Sequence, residues 1–416
     1  MKTLFTFLAL SILISVVSCQ QENAENDGPK IINLDEKSAQ LIEADNAFGL
    51  EIFQKLRNES DDENIMISPL SISVALAMAY NGADGETKTE MEKTLKKNGL
   101  TVEEINASYK MLIAALQSVD EKVVFELANA IFYKNGFSVK PDFLNINKNN
   151  YHAEVASLDF NSPTAVKTIN DWVATKTHDK ILSIIDKLSV DDRMVLLNAV
   201  YFNGIWTKEF NKEGTKLLNF LKKDDASIEV PMMNKDDKIE YTSNSLFQAV
   251  KLPYGKSQYN MIVMLPAQNK NSQNVIDELT ADNLKKWGKE FKVEEHVVVT
   301  MPRFKFAFET ELEDVLKAMG MQKAFSDQTA DFSKITGKKD LFISSVRHKS
   351  FIDVNENGTE AAAVTSITMT TTSAGPGDTV KKIYFTVDKP FVFAITEKDT
   401  GAILFIGEVQ NPEYEM

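Results

Sequence analysis

Between residues 36 and 57 apolar residues recur one helical turn apart: Leu41, Ala44, Phe48 and Ile52, with Phe53 and Leu56 widening the stripe. This periodicity predicts an amphipathic helix whose stripe packs on a core. Ser68-Pro69 predicts a second helix start, with Ser as the cap and Pro at the first helical position, and Asn81-Gly82 marks its stop. Further helices are expected near 103–118, 164–179 and 311–319. The second half of the chain changes period. MVLLNAVYF (194–202), LFQAVKL (246–252), YNMIVML (259–265), HVVVTMPRFKFAF (296–308), ISSVRHKSFIDV (343–354), IYFTV (383–387), FVFAI (391–395) and AILFIGEV (402–409) predict strands. Helices early and strands late imply an α+β fold, with helices packed around large, mostly antiparallel β-sheets.

One segment breaks from this pattern. From Glu356 to Asp378 the chain reads ENGTEAAAVTSITMTTTSAGPGD, largely small residues with no charge between Glu360 and Asp378. A flexible surface loop is the plain reading. Its order is nevertheless that of a strand: Thr359, Ala361, Ala363, Thr365, Ile367 and Met369 share one parity and make a small or apolar face, while the other parity is mostly polar. Such a loop can add to a sheet as a long strand, which would leave the uninserted molecule metastable.

Composition narrows the function classes. The chain has 416 residues, 43% of them hydrophobic, enough for a large core, and neither a second linker nor an internal repeat interrupts the body. Lys and Arg number 46 against 60 Asp and Glu, a net charge of −14, so nothing favours a nucleic acid or another polyanion as partner. The lone cysteine excludes a disulfide framework. It stands as Cys19 behind a charged start, the apolar stretch LFTFLALSILISVV and Ser18, which reads as an export leader over 1–18. Val16-Val17-Ser18-Cys19 resembles the lipobox of bacterial lipoproteins, which implies lipidation at Cys19 and a lipid anchor at the cell envelope, facing the periplasm or the cell surface. Polar residues from Gln20 to Lys30 then form a flexible tether, with 19–35 as its full extent and 36–416 as a single domain.

Enzyme chemistry finds little support. His152, His178, His296 and His348 are far apart, none in an i, i+4 pair, so no metal site is expected. No Ser sits in a G-x-S-x-G elbow, and Gly255-Lys256-Ser257 lacks the first Gly of a phosphate loop and reads as a surface turn. His348 shares strand parity with Phe342, Val346, Ile352 and Val354, which places it towards the core with Arg347 and Lys349 outward; a hydrogen-bonded core histidine is the plain reading.

GTEAAAVT (358–365) after FIDVNENG, NAVYFNGIW (198–206), ISPLSIS (67–73), TVDKPFVFAI (386–395) and ILFIGEV (403–409) occur in the order found in serpins, and the chain resembles that family over roughly 36–416. The resemblance implies the serpin fold with an exposed reactive-centre loop at about 356–380. It implies suicide inhibition of serine endopeptidases, with cysteine endopeptidases as a further class: the protease cleaves the loop, which inserts into the central sheet and traps the covalent intermediate. On this reading the protein is not an enzyme, has no catalytic residue or cofactor, and acts as a monomer. The hinge is Glu356, Gly358, Thr359, Glu360, Ala361, Ala362 and Ala363. Its inward residues Thr359, Ala361 and Ala363 are small and uncharged, as rapid insertion requires, while Glu360 is expected to point outward and stay solvated.

The family's count from the hinge glutamate, carried over to Glu356, implies a scissile bond at Thr372-Ser373, with Met369, Thr370 and Thr371 as neighbouring bait, although the loop is several residues longer than is usual. These uncharged residues suit elastase-like or subtilisin-like proteases. Ser68, Ser71, Asn198 and His348 match the family's shutter, a hydrogen-bonded cluster where the central sheet opens, and Trp206 matches the aromatic at the breach, where insertion starts. The acidic balance gives no reason to expect a heparin-type activator. Two alternatives stay open: a non-inhibitory serpin acting as a surface binding or structural lipoprotein, and a hydrolase with an unrecognised motif.

Overall fold

The computed structural model describes residues 30–189, 191–360, 381–412 and 414. Cys19, the leader, most of the tether, Ala361 to Ala363, Met369 to Thr372 and Ser373 therefore lie outside the described residues. Helices are α1 (Glu36–Glu59), α2 (Pro69–Tyr80), α3 (Gly85–Thr94), α4 (Val102–Ser118), α5 (Pro141–Tyr151), α6 (Ala165–Lys176), α7 (Ser272–Asp277), α8 (Ala281–Gly288), α9 (Glu313–Ala318) and α10 (Ser333–Thr336). Strands are β1 (Asn64–Ile67), β2 (Val123–Lys134), β3 (Glu154–Leu158), β4 (Met194–Ile205), β5 (Lys216–Leu221), β6 (Ser227–Ser243), β7 (Phe247–Tyr254), β8 (Tyr259–Pro266), β9 (Lys292–Pro302), β10 (Phe304–Glu311), β11 (Arg347–Val354), β12 (Gly358–Thr359), β13 (Ile383–Thr386), β14 (Phe391–Glu397) and β15 (Ile403–Val409).

The strands form two sheets. One has nine strands in the order β1-β15-β14-β8-β7-β6-β9-β13, with β5 added beside β6; the other has six, in the order β10-β11-β12-β4-β2-β3. Most pairs are antiparallel, with β2–β3 and β9–β13 parallel. The stretch 296–308, expected as one strand, is two. It crosses between the sheets at Pro302-Arg303, so β9 belongs to the nine-stranded sheet and β10 to the six-stranded one. A proline cannot donate to a ladder, and the break falls there.

The helix α2 is buried on nearly every side, as its uniformly apolar sequence dictates. Ser68 caps it by accepting from the Ser71 N–H, and it packs beneath β4 and β15. On the other face of the six-stranded sheet Ile169 and Val173 of α6 cover Ala130, Phe132, Leu197 and Ala199 of β2 and β4. Both strands are thus covered on two faces, which is why MVLLNAV is apolar without strict alternation. Residues 343–346 precede the ladder, because β10 begins its pairing with β11 at Glu311 opposite Arg347. Phe342, expected to face the core, is accordingly 46% exposed. The tether's last residues run along the body, where Lys30 donates its ammonium to Ser118 O and Ile32 N–H donates to Asp399. Among the described residues no helix is long and apolar enough to cross a membrane.

Candidate functional site at the gap between β4 and β11

Among the described residues β4 and β11 are joined only through the two residues of β12. Thr359 pairs with Val354 of β11 and with Gly204 of β4, and Gly358 pairs with Ile205. The wedge is tight. A Cβ on Gly358 would stand 2.0 Å from the Gly204 carbonyl oxygen, at a φ of +154° that side chains avoid. Thr359 faces inward as its parity predicted, 2% exposed, with its hydroxyl 2.6 Å from that of Tyr254.

Glu360 departs from expectation. It turns into a left-handed conformation, φ +59°, and is half-buried, with Oε2 buried and unpartnered. Burial pushes its carboxyl up to about 7, against the pull of Lys180 and the Tyr201 hydroxyl. The ladder ends at Thr359, so the next side chain leaves the alternation that parity assumes.

Above the wedge the turn 355–357 is clamped from several sides. Trp206, 2% exposed, donates its backbone N–H to Asn357 O at 2.8 Å and its indole N–H to Asn355 O at 2.9 Å. Its ring stacks on Tyr254, centroids 4.3 Å apart. Phe210 N–H donates to Glu356 O at 3.0 Å. The Glu356 carboxylate accepts from Arg303 Nε and Nη2, at 2.9 and 2.7 Å, and from the Thr215 hydroxyl. Burial alone would raise this carboxyl, but Arg303 and Thr215 outweigh it and hold it below the ordinary range. Arg303 stands at the crossing from β9 to β10, which brings the pair together.

Lower in the gap, α2 straddles the two strands. His348 on β11 is 5% exposed and accepts from the Ser68 backbone N–H at Nε2, 3.1 Å. Asn198 on β4 accepts from the Ser71 hydroxyl and donates to Asn129 on β2 at 2.6 Å; Asn129 in turn donates to Tyr151 O at 2.7 Å. Burial drives the His348 imidazole down to about 4, so it is neutral near pH 7 and free to accept. All four residues grouped by resemblance therefore meet, although His348 and Asn198 bond to α2 rather than to each other. Sequence reasoning missed Asn129 and Ser350, whose hydroxyl donates to Met66 O. Asn129, in LANAIF, carried the same signal as Asn198: an amide inside an apolar run. Tyr254, Arg303 and Thr215 had no local signal, since their roles depend on long-range packing. The turn at Gly255-Lys256-Ser257 is the β7–β8 hairpin, where Asp120 accepts from the Lys256 N–H.

Below β12 the described residues show no ladder between β4 and β11, which are flanked at the top by charge and aromatic packing and lower down by neutral hydrogen bonds. Among the described residues no group of His, Cys, Asp and Glu could hold a metal. Over residues 43–412 the chain matches the family Serpin (serine protease inhibitor). It is 34% identical to the leukocyte elastase inhibitor of Homo sapiens, covering 90% of this chain and 100% of that protein. The native-state crystal structure of tengpin, a thermophilic serpin, has a TM-score of 0.80 at 34% identity, covering 92% of this chain and 96% of that one. Human thyroxine-binding globulin, solved in complex with thyroxine, has a TM-score of 0.81 at 28% identity, covering 91% and 100%. The chain belongs to the serpin family.

Proposed function

We propose that the protein is an inhibitory serpin that traps endopeptidases by inserting its cleaved loop between β4 and β11. The observation that carries this reading is β12, two residues near the start of the loop, already seated between β4 and β11 as a wedge. Beyond Glu360, Ala361, Ala362 and Ala363 would extend the same strand without placing charge or bulk in the sheet. Catalysis is supplied by the attacking protease, and the free energy that distorts it comes from completing the six-stranded sheet. Uncharged bait at Met369 to Thr372 favours an elastase-like or subtilisin-like target, and the similarity to a leukocyte elastase inhibitor points the same way. Cys19 would tether the inhibitor to the envelope by lipid, leaving the loop free to meet proteases outside.

Incubation with an elastase-like protease should give an SDS-stable complex, and sequencing its released fragment should give a new terminus at Ser373. Absence of a complex with several protease classes, together with unchanged melting after loop cleavage, would overturn the reading. The second reading, a non-inhibitory binding serpin, is favoured by the similarity to thyroxine-binding globulin. It predicts a cleaved loop that adds no thermal stability.

A further inference from the structure

Lys235 on β6 carries an ammonium with no carboxylate oxygen within ion-pair distance among the described residues. Instead Nζ donates to the Lys208 carbonyl at 3.0 Å and lies 4.5 Å from the centroid of Phe210 and 5.9 Å from that of Trp206. These are the two residues whose backbone N–H groups hold Glu356 O and Asn357 O. The segment 206–210 is therefore fixed on one side by the turn that feeds the loop and on the other by Lys235. Trp206 continues the contact to Tyr254, and Tyr254 to Thr359 in the wedge.

We propose that Lys235 is a positioning residue for loop insertion: its ammonium, held over Phe210 and Trp206 and bonded to Lys208 O, keeps the clamp on residues 355–357 in the geometry from which the strand extends. This rests on the inhibitory reading above. A cation over two ring faces is attracted by their quadrupoles, more strongly as water is removed, and a neutral amine is not. Removing the charge releases the rings without removing the side chain.

Charge at this position is unusually easy to remove. Burial lowers the ammonium to about 8, with Asp237 opposing that shift and Lys208 adding to it. The other charges facing the site are few: Lys208 and Asp237 pair with each other, and the Arg303–Glu356 pair lies across the Phe210 backbone. The Lys235→Arg variant keeps every other titrating group, Glu360 at the wedge included, so a transition near pH 8 that it abolishes reports Lys235.

The test compares wild type with Lys235→Arg, charged at every accessible pH, and Lys235→Met, charged at none. Two readouts are followed from pH 6.5 to 9.5: Trp fluorescence of the free inhibitor, and the moles of inhibitor consumed per mole of elastase-like protease trapped. Wild-type fluorescence should step near pH 8 and both variants should stay flat. Relative to Lys235→Arg at the same pH, which cancels the protease's own titration, wild-type consumption should rise roughly three- to tenfold above pH 8, the size of one cation–π contact. Lys235→Met should show the high value throughout. A fluorescence step shared by all three proteins, or a wild-type to arginine ratio constant with pH, overturns the proposal. A fluorescence step confined to wild type with no trapping at any pH overturns the inhibitory reading instead and leaves the clamp standing.

Discussion

The two regions that line the seam hold it by different chemistry. At the top, around Trp206, the contacts are charged, aromatic and shared with backbone carbonyls of the turn 355–357, and a strand is already in place. Lower down, around His348, the contacts are neutral hydrogen bonds between side chains and α2, with His348 on one bank and Asn198 on the other. A charged clamp on a backbone turn tolerates small shifts, because Coulomb and ring contacts fall off gradually. Buried neutral hydrogen bonds are made or lost, and a lost one leaves a desolvated group. On the inhibitory reading proposed above, the upper region suits a seam that admits a strand, and the lower one suits a lock that keeps it from opening early.

The largest effect is expected from Thr359→Arg, which blocks the wedge itself. Placing a guanidinium where a hydroxyl is 2% exposed costs several kcal/mol, and each 1.4 kcal/mol is a factor of ten. Trapping should fall by more than about a hundredfold and the protein should be turned over as a substrate, while melting of the uncleaved molecule changes little because β12 can withdraw. Retained trapping would mean that insertion does not begin at β12, and the contrast between an admitting region and a locking one would collapse.

In the lower region acid should act through His348. The folded His348 titrates at about 4 against 6.5 unfolded. Between those values the unfolded chain binds the extra proton, so stability falls as pH drops through that window, by ~3 kcal/mol when complete. The protonated ring also loses the lone pair that accepts from Ser68. Replacing it by Gln keeps an acceptor and removes the titration, so denaturant melts from pH 7 to 4 should show a shallower decline in His348→Gln than in wild type. Parallel declines would show that the lock does not depend on the neutral ring.

The Arg303–Glu356 pair measures how much the upper clamp owes to charge. Arg303→Met leaves the buried Glu356 carboxylate without its cation, which costs 3–5 kcal/mol for a fully buried pair and about 2 kcal/mol here, since Arg303 is partly open to solvent. Without the guanidinium, burial dominates and the Glu356 carboxyl rises. The cost should therefore shrink as pH falls through the carboxylate range, the reverse of the His348 trend. Chemical denaturation of both proteins at pH 7 and 4.5 checks the sign.

The lower region was the more legible of the two in the sequence, and the reason is physical. His348, Asn198 and Ser68 stand at strand parity or at a helix cap, and local periodicity reports burial, so an apolar run with one polar residue announces a buried hydrogen bond. Asn129 could have been read by the same rule. The upper region is assembled from distant segments: Arg303 reaches Glu356 only because the chain changes sheets at Pro302, and in HVVVTMPRFKFAF the apolar run continues on both sides of that proline, so the break it signals does not say which sheet each half joins. Glu360 and Phe342 fail the parity reading for a related reason. Parity holds only while a partner strand persists, and in both cases the ladder has ended or not begun.

Trp206→Phe should give the smallest effect and the finest test of the contrast. Phe keeps most of the stacking on Tyr254 and loses one hydrogen bond, indole N–H to Asn355 O, worth about 1 kcal/mol. Ser71→Ala also removes one hydrogen bond, but it leaves Asn198 Oδ1 without its donor beneath the sheet, where an unmet acceptor costs ~1–3 kcal/mol. If the upper region is a clamp that admits a strand, Trp206→Phe should slow insertion after cleavage, followed by the gain in thermal stability with time, by roughly fivefold and leave the intact protein's melting within a few degrees of wild type. Ser71→Ala should do the opposite, lowering the melting temperature and hastening spontaneous insertion. Equal effects of the two substitutions on both readouts would make the seam one continuous core, with no division between latch and lock.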